Sequence, residues 1–238
     1  MEGLLRQNNH GEGSSLVAAA HELKAPLALI RQLSLNLEAS TCTPQQAQRL
    51  LRQITLTSER ALRLTTDLTK SIRLEDGLFA VEPINPLQIC DEVVQELAPL
   101  YQAKDRHICI AKRQRRLLLV LANKDLLRRV LLNFADNALH YGEPHTAVSL
   151  SVHERNGRIR VSVRDFGPAV PAKLWARLGK TIGVSAQPLH SRPQSSGLGM
   201  MIAKQFAESM NATVGVLRHQ DGATFYIDVL PSTQLRLL

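Results

Sequence analysis

From residue 14 to about residue 77, apolar or small residues recur in steps of three and four. They fall at Leu16, Ala20, Leu23, Leu27, Ile30, Ser34 and Leu37, then at Leu50, Ile54, Thr57, Ala61, Leu64, Leu68 and Ser71, with a break at Ser40-Thr41-Cys42-Thr43-Pro44 between them. This heptad-like stepping predicts two consecutive helices. Pro44 suits the first turn of the second, with Thr43 before it as N-cap. Two antiparallel helices of this kind expose too much apolar stripe to be stable alone, and pairing two such hairpins in a four-helix bundle buries it. A homodimer is therefore expected on physical grounds.

From residue 78 onward the texture changes. Residues 78–84 read as a strand, 86–104 as a helix, 107–111 and 117–121 as strands, and 123–140 as a strongly amphipathic helix. Residues 147–152 and 158–164 alternate in the strand manner around Asn156-Gly157, a strong hairpin signal. A loop-rich stretch covers 168–196, a helix follows over 198–209, and a last hairpin turns at Asp221-Gly222. Strands with helices packed on one face make a two-layer α/β sandwich. The expected class is α+β, with an antiparallel helical hairpin over residues 1–77 and the sandwich over 78–238.

The chain's 238 residues, 44% of them apolar, are enough for two modest domains with packed cores. The longest purely apolar run, 117–122, is far too short for a bilayer, which takes about 20 residues. The N-terminus is polar and has no apolar signal core. Cys42, Cys90 and Cys109 are widely spaced and match neither a disulfide framework nor a metal pattern, so they read as free thiols in a reducing compartment. A soluble, cytoplasmic chain is expected, either as such or as the cytoplasmic portion of a larger membrane sensor. The net charge of +8 favours acidic partners, nucleotides and acidic proteins as much as nucleic acid. The densest basic cluster, Lys112-Arg113-Gln114-Arg115-Arg116, reads as a solvated turn between strands. A nucleic-acid-binding module rests on charge alone: aromatics are only 4% of the chain, and no basic helix of the helix-turn-helix kind is present.

Four constellations carry chemistry. His21 stands one position past the Ala20 seam, so it should project from the flank of the hairpin toward solvent. Pro26 should bend the helix just below it. A neutral imidazole is a competent nucleophile near neutral pH, and Glu22 beside it can hold the other ring nitrogen's proton. Asn133 and Asn137 are four apart and share one helical face. Mid-helix asparagines are unfavourable, so a stacked pair suggests a polar ligand; an amide oxygen is a hard donor suited to Mg2+ on nucleotide phosphates. Asp165 and Gly167 end a strand, where a carboxylate can accept hydrogen bonds from an adenine amino group. Gly197, Leu198 and Gly199 open a helix, where glycines let phosphate oxygens approach backbone N–H groups. Gly179-Lys180-Thr181 echoes a P-loop ending, but Leu174 stands where its first glycine should be.

In order and spacing these motifs resemble the boxes of the sensor histidine kinase family, over about residues 14–230. The resemblance implies a phosphoacceptor role for His21 in the H box, with Glu22 assisting proton removal. Asn133 and Asn137 match the N box, whose second asparagine holds Mg2+. His140 takes the place of a Lys or Arg near the phosphates, and Tyr141 that of an aromatic packed against the base. Asp165 and Gly167 match the G1 box, Gly197 and Gly199 the G2 box, and Arg73-Leu74-Glu75-Asp76-Gly77 the exit from the second dimerisation helix. It further implies a Bergerat ATPase fold for residues 78–238, ATP and Mg2+ as cofactors, a homodimer, and a response-regulator receiver domain as partner. The activity implied is ATP-dependent autophosphorylation of His21 and transfer to a regulator aspartate in two-component signalling.

Several positions depart from the family pattern. Ala169 replaces the second G1 glycine, residues 174–178 are a faint F box, and a His140 neutral at pH 7 holds phosphate less well than Lys. These departures support a rival reading, a pseudokinase scaffold that binds nucleotide or partner without transferring phosphate. Ala25 stands where the family often has Thr or Asn four residues after the histidine, a group thought to position the water that dephosphorylates the regulator. Weak phosphatase activity is therefore expected. Ala25→Thr should raise the rate at which phosphorylated regulator is lost, and no gain over the parent would count against this explanation.

Overall fold

The structure, a computed structural model, describes residues 9–39, 43–73, 79–111, 118–141, 145–167 and 198–232. The chain divides into two compact units. One holds helices α1 (Asn9–Ala39) and α2 (Pro44–Arg73), packed on each other. A capping box starts α2: Thr43 Oγ1 accepts the N–H of Gln46 at 3.3 Å, and Gln46 Oε1 accepts the N–H of Thr43 at 3.0 Å. Helix α1 runs through Pro26.

The seam of this hairpin follows the expected stepping at most described positions: Leu23, Ile30, Ser34 and Leu37 of α1 and Leu50, Ile54, Thr57, Leu64 and Leu68 of α2 are half-buried, and two positions depart from it. Leu33, which the stepping passes over, is buried, as is Ala61, whereas Leu27 is 58% exposed. Leu29, Leu35, Leu51 and Leu62 are exposed as well.

Among the described residues, the other unit holds seven strands with α3 (Pro86–Gln102), α4 (Lys124–Tyr141) and the body of α5 (Leu198–Glu208). Strands β2 (His107–Ile110), β4 (Ala147–Arg155), β5 (Arg158–Arg164), β6 (Thr213–His219) and β7 (Gly222–Val229) form one sheet in the order β2-β4-β5-β7-β6. Among the described strands, only the β2–β4 pair is parallel. A second small sheet pairs β1 (Glu82–Ile84) with β3 (Val120–Ala122). Helix α3 packs on β2 and β4, and α4 on β4, β5 and β7. The core between them holds Val148, Leu150, Val161, Val163 and Ile227 from the sheet and Leu127, Val130, Leu131 and Phe134 from α4. Burying each large aliphatic side chain contributes about 1.5–3 kcal/mol. The Phe134 and Phe225 rings meet at 5.8 Å between centroids.

Asn156 and Gly157 both take positive φ, 51° and 72°, which is the turn expected between β4 and β5. Other boundaries shift. The strand expected over 78–84 pairs only at 82–84. The one expected over 117–121 lies at 120–122, where it is anchored by Leu121 N–H to the Leu230 carbonyl at 2.9 Å. Helix α3 stops at Gln102 instead of 104, because Asp105 turns left-handed (φ 53°) and Arg106 N–H closes on the Tyr101 carbonyl at 3.0 Å. The last hairpin loops at Gln220-Asp221, one residue earlier than expected, and Gly222 opens β7 opposite His219.

Candidate functional site

Helix α4 starts on Asn123, whose Oδ1 accepts the N–H of Leu126 at 3.1 Å. One face of the helix is core; Asn133 and Asn137 lie half-buried one turn apart beside it. Asn133 Nδ2 is buried with no hydrogen-bond partner among the described residues. A buried amide donor left unpaired costs about 1–3 kcal/mol, so the position is suited to a ligand acceptor. From behind, Tyr101 donates to the Ala135 carbonyl and Arg106 Nη1 to the Ala138 carbonyl, each at 2.7 Å.

Strand β5 delivers Asp165, which is 6% exposed. Its Oδ1 accepts the N–H of Ala223 at 2.7 Å, and its own N–H donates to the Ala223 carbonyl at 3.0 Å. Burial lifts its carboxyl above the usual carboxylate range, against the opposing pull of the Ala223 N–H and of Arg164, Arg106 and His219. Gly167 N–H bonds the Asp221 carbonyl at 3.1 Å, and Arg164 pairs with the Asp221 carboxylate while its guanidinium covers the Phe166 ring at 4.3 Å. The β6–β7 turn is thereby clamped onto residues 164–167. Gly222 lets it approach: at φ 131°, a Cβ there would meet Asp165 O at 2.4 Å and Oδ1 at 2.6 Å.

Helix α4, which carries the two asparagines, packs on β5, which delivers Asp165. Tyr101 has its phenol raised above the ordinary value by burial first, with Arg106 opposing and Asp136 and Asp165 adding to the rise. A residue of α4 and the strand-end carboxylate thus act on the same buried ring. Cys90, buried in α3, has its thiol pushed up to about 12 by burial and by Asp91, which leaves it no thiolate for chemistry.

His21 and Glu22 lie in α1, His140 and Tyr141 close α4, and Leu198 opens α5, but the side chains of these five fall outside the described residues. Gly199 stands in the first turn of α5. Gly197, Ala169, the loop-rich 168–196 and the basic cluster 112–116 lie outside the described residues altogether. Two residues of the site escaped the sequence: Gly222, read only as a turn glycine, and Arg106, a charge at a helix end whose burial no local pattern announces.

Residues 122–234 match the family of histidine kinase-, DNA gyrase B-, and HSP90-like ATPases. Residues 122–234 thus form an ATPase domain of that family. The sensor histidine kinase GacS of Pseudomonas protegens is 24% identical over 227 residues, covering 92% of this chain and 25% of its own. Full-length ShkA in complex with AMPPNP is 25% identical and superposes with a TM-score of 0.62 over 95% of this chain and 47% of its own. Histidine kinase ThkA in complex with the response regulator TrrA shares the fold, at 19% identity and a TM-score of 0.61, over 94% of this chain and 62% of its own. Within the ATPase family, the chain carries the catalytic domain of a sensor histidine kinase. It spans 24% to 59% of the length of the curated sensor kinases it matches. Among the described residues, no helix is long and apolar enough to cross a membrane.

Proposed function

We propose that the chain binds Mg·ATP and transfers its γ-phosphoryl group first to His21 and then to an aspartate of a response-regulator receiver domain. The observation that carries the reading is the buried, hydrogen-bonded carboxylate of Asp165, held by Ala223 within the matched ATPase domain. Its remaining acceptor capacity suits the amino group of adenine. Asn133 fits the bound nucleotide through its unpaired Nδ2. Asn137, one turn on, would hold Mg2+ through its amide oxygen; that ion neutralises phosphate charge when bound. His140, Gly197, Leu198 and Gly199 are assigned to the phosphates, Gly167 and Tyr141 to the base.

In the first step a ring nitrogen of His21 forms the N–P bond as the P–O bond to ADP breaks, and the other ring nitrogen's proton passes to or is held by Glu22. In the second the phosphoryl group moves from nitrogen to a carboxylate oxygen. Positioning and charge neutralisation supply most of the acceleration. Residues 1–77 act as the dimerisation and phosphotransfer hairpin and 78–238 as the catalytic domain. The exposed leucines of α1 and α2 support a homodimer, because a second hairpin would cover them in a four-helix bundle.

The test is incubation with γ-labelled Mg·ATP of the parent, His21→Gln and Asn137→Ala. Acid-labile, alkali-stable label is expected on the parent and on neither variant. Label that survives His21→Gln would remove that assignment. No label on a parent that binds ATP would favour the pseudokinase scaffold.

A further inference from the structure

Arg106 follows the left-handed turn after α3 and is 2% exposed, among the largest fully buried side chains. Its Nη1 donates to the Ala138 carbonyl at 2.7 Å and its Nη2 to Thr146 Oγ1 at 3.1 Å. Ala138 is one of the last four residues of α4, whose carbonyls have no intrahelical N–H partner and form the negative end of the helix dipole. Thr146 directly precedes β4. The Arg106 Nε is buried and has no acceptor among the described residues, and the Arg106 guanidinium carbon lies 5.6 Å from the Tyr101 ring centroid. An apolar side chain of similar volume would fold at no such desolvation cost. Stability alone therefore does not account for an arginine here.

We propose that Arg106 is a positioning residue of the nucleotide site: it ties the carbonyl end of α4 to the start of β4, and so sets where Asn137 and the last turn of α4 stand. The inference rests on the nucleotide-binding reading above. The last turn of α4 cannot unwind or shift along its axis without breaking one of the two bonds. Tyr101, bonded to the Ala135 carbonyl, fixes the turn before it. The charged and titratable groups acting on Asp165 are Arg164 from β5, Arg106 and His219; Tyr101 and Asp136 share its surroundings, and Asp221 pairs with Arg164.

The experiment is calorimetric titration of the full chain with ADP and magnesium from pH 5 to pH 8, for the parent, Arg106→Gln and Arg106→Lys, with a thermal scan of each. Arg106→Gln should bind ADP roughly tenfold more weakly at neutral pH, the effect of losing one charge-assisted hydrogen bond. Its acid limb should also move to higher pH, because Asp165 without the guanidinium charge takes up its proton more readily. Arg106→Lys keeps the charge but not the two-pronged geometry, so its acid limb should match the parent while its affinity falls. A merely structural arginine would lower the melting temperature without moving the acid limb, and that pattern would overturn the proposal. Should Arg106→Gln fail to fold, Arg106→Lys decides alone: affinity and acid limb both equal to the parent's would overturn it. A parent that binds no ADP removes the nucleotide-binding reading and this inference with it, whereas parental binding with unaltered variants removes only the inference.

Discussion

Asp165→Asn is expected to abolish adenine-nucleotide binding while leaving the ligand-free protein at least as heat-stable as the parent. The carboxylate offers acceptors only: one oxygen takes the Ala223 N–H, and the other suits an amino donor. A carboxamide cannot do both. If its oxygen keeps Ala223, its NH2 faces the adenine NH2; if it turns over, its NH2 faces the Ala223 N–H. Either way two donors are opposed in a buried place, which should weaken binding by about a hundredfold or more. Stability moves the other way. Asp165 has its pKa raised in the folded chain, mainly by burial, so the ionised form is the one the fold disfavours. Its contribution to stability is fully present below the ordinary carboxylate pKa and is lost as pH rises through the folded value. At neutral pH the parent bears that cost and the amide does not. Titration with ADP and a thermal scan read the two effects separately. Full retention of binding would remove Asp165 from the site, and a large fall in melting temperature would show the carboxylate to be a structural anchor instead.

Gly222→Ala should fail on both counts. Its new Cβ would fall 2.4 Å from the Asp165 carbonyl oxygen and 2.6 Å from Oδ1, and the φ of 131° is one that a side chain strains. Backbone blocks the way, so the β6–β7 turn and residues 165–167 have to separate. Overpacking and strain together cost about 2–4 kcal/mol. For a unit of this size that lowers the melting temperature by roughly 5–15 °C. Binding should fall with it, because the Ala223 N–H that orients Asp165 sits next in the chain. Gly157→Ala is the control: its φ of 72° is also one that a side chain strains, but no atom lies within 4 Å of the added Cβ. It should lose some stability and keep its affinity for ADP. Equal loss of binding in both variants would mean that strain, not collision with Asp165, decides.

What could be read in the chain beforehand divides by distance along it. Asn156-Gly157, the Thr43-Pro44 start of α2 and the amphipathic run of α4 are set by neighbours within a few residues, and all three stand as read. Asp165 was legible as a candidate because a carboxylate at a strand end can accept hydrogen bonds from an adenine amino group, and because Asp165 and Gly167 resemble the G1 box in order and spacing. Gly222 was not, since its closeness to Asp165 joins positions 57 apart in the chain. Arg106 looked like any solvated charge after a helix; its partners Ala138 and Thr146 lie 32 and 40 residues on. The parallel pairing of β2 with β4, and the removal of β1 and β3 to a sheet of their own, likewise left no periodic trace. The stepping of α1 and α2 also reads off the burial at most described positions; it passes over Leu33, which is buried.

Strand β5 lies in the middle of the five-stranded sheet, laddered to β4 on one edge and to β7 on the other. Freeing it therefore means breaking two ladders at once, whereas β6 is held along one. In a protein that opens in pieces, the central strand belongs to the piece that opens last. Asp165, at its end, inherits that persistence, so the acceptor proposed for the base remains formed through fluctuations that transiently undo the edges of the sheet. A nucleotide arriving in such a moment meets a half that is already built, and only the remainder has to be gathered around it.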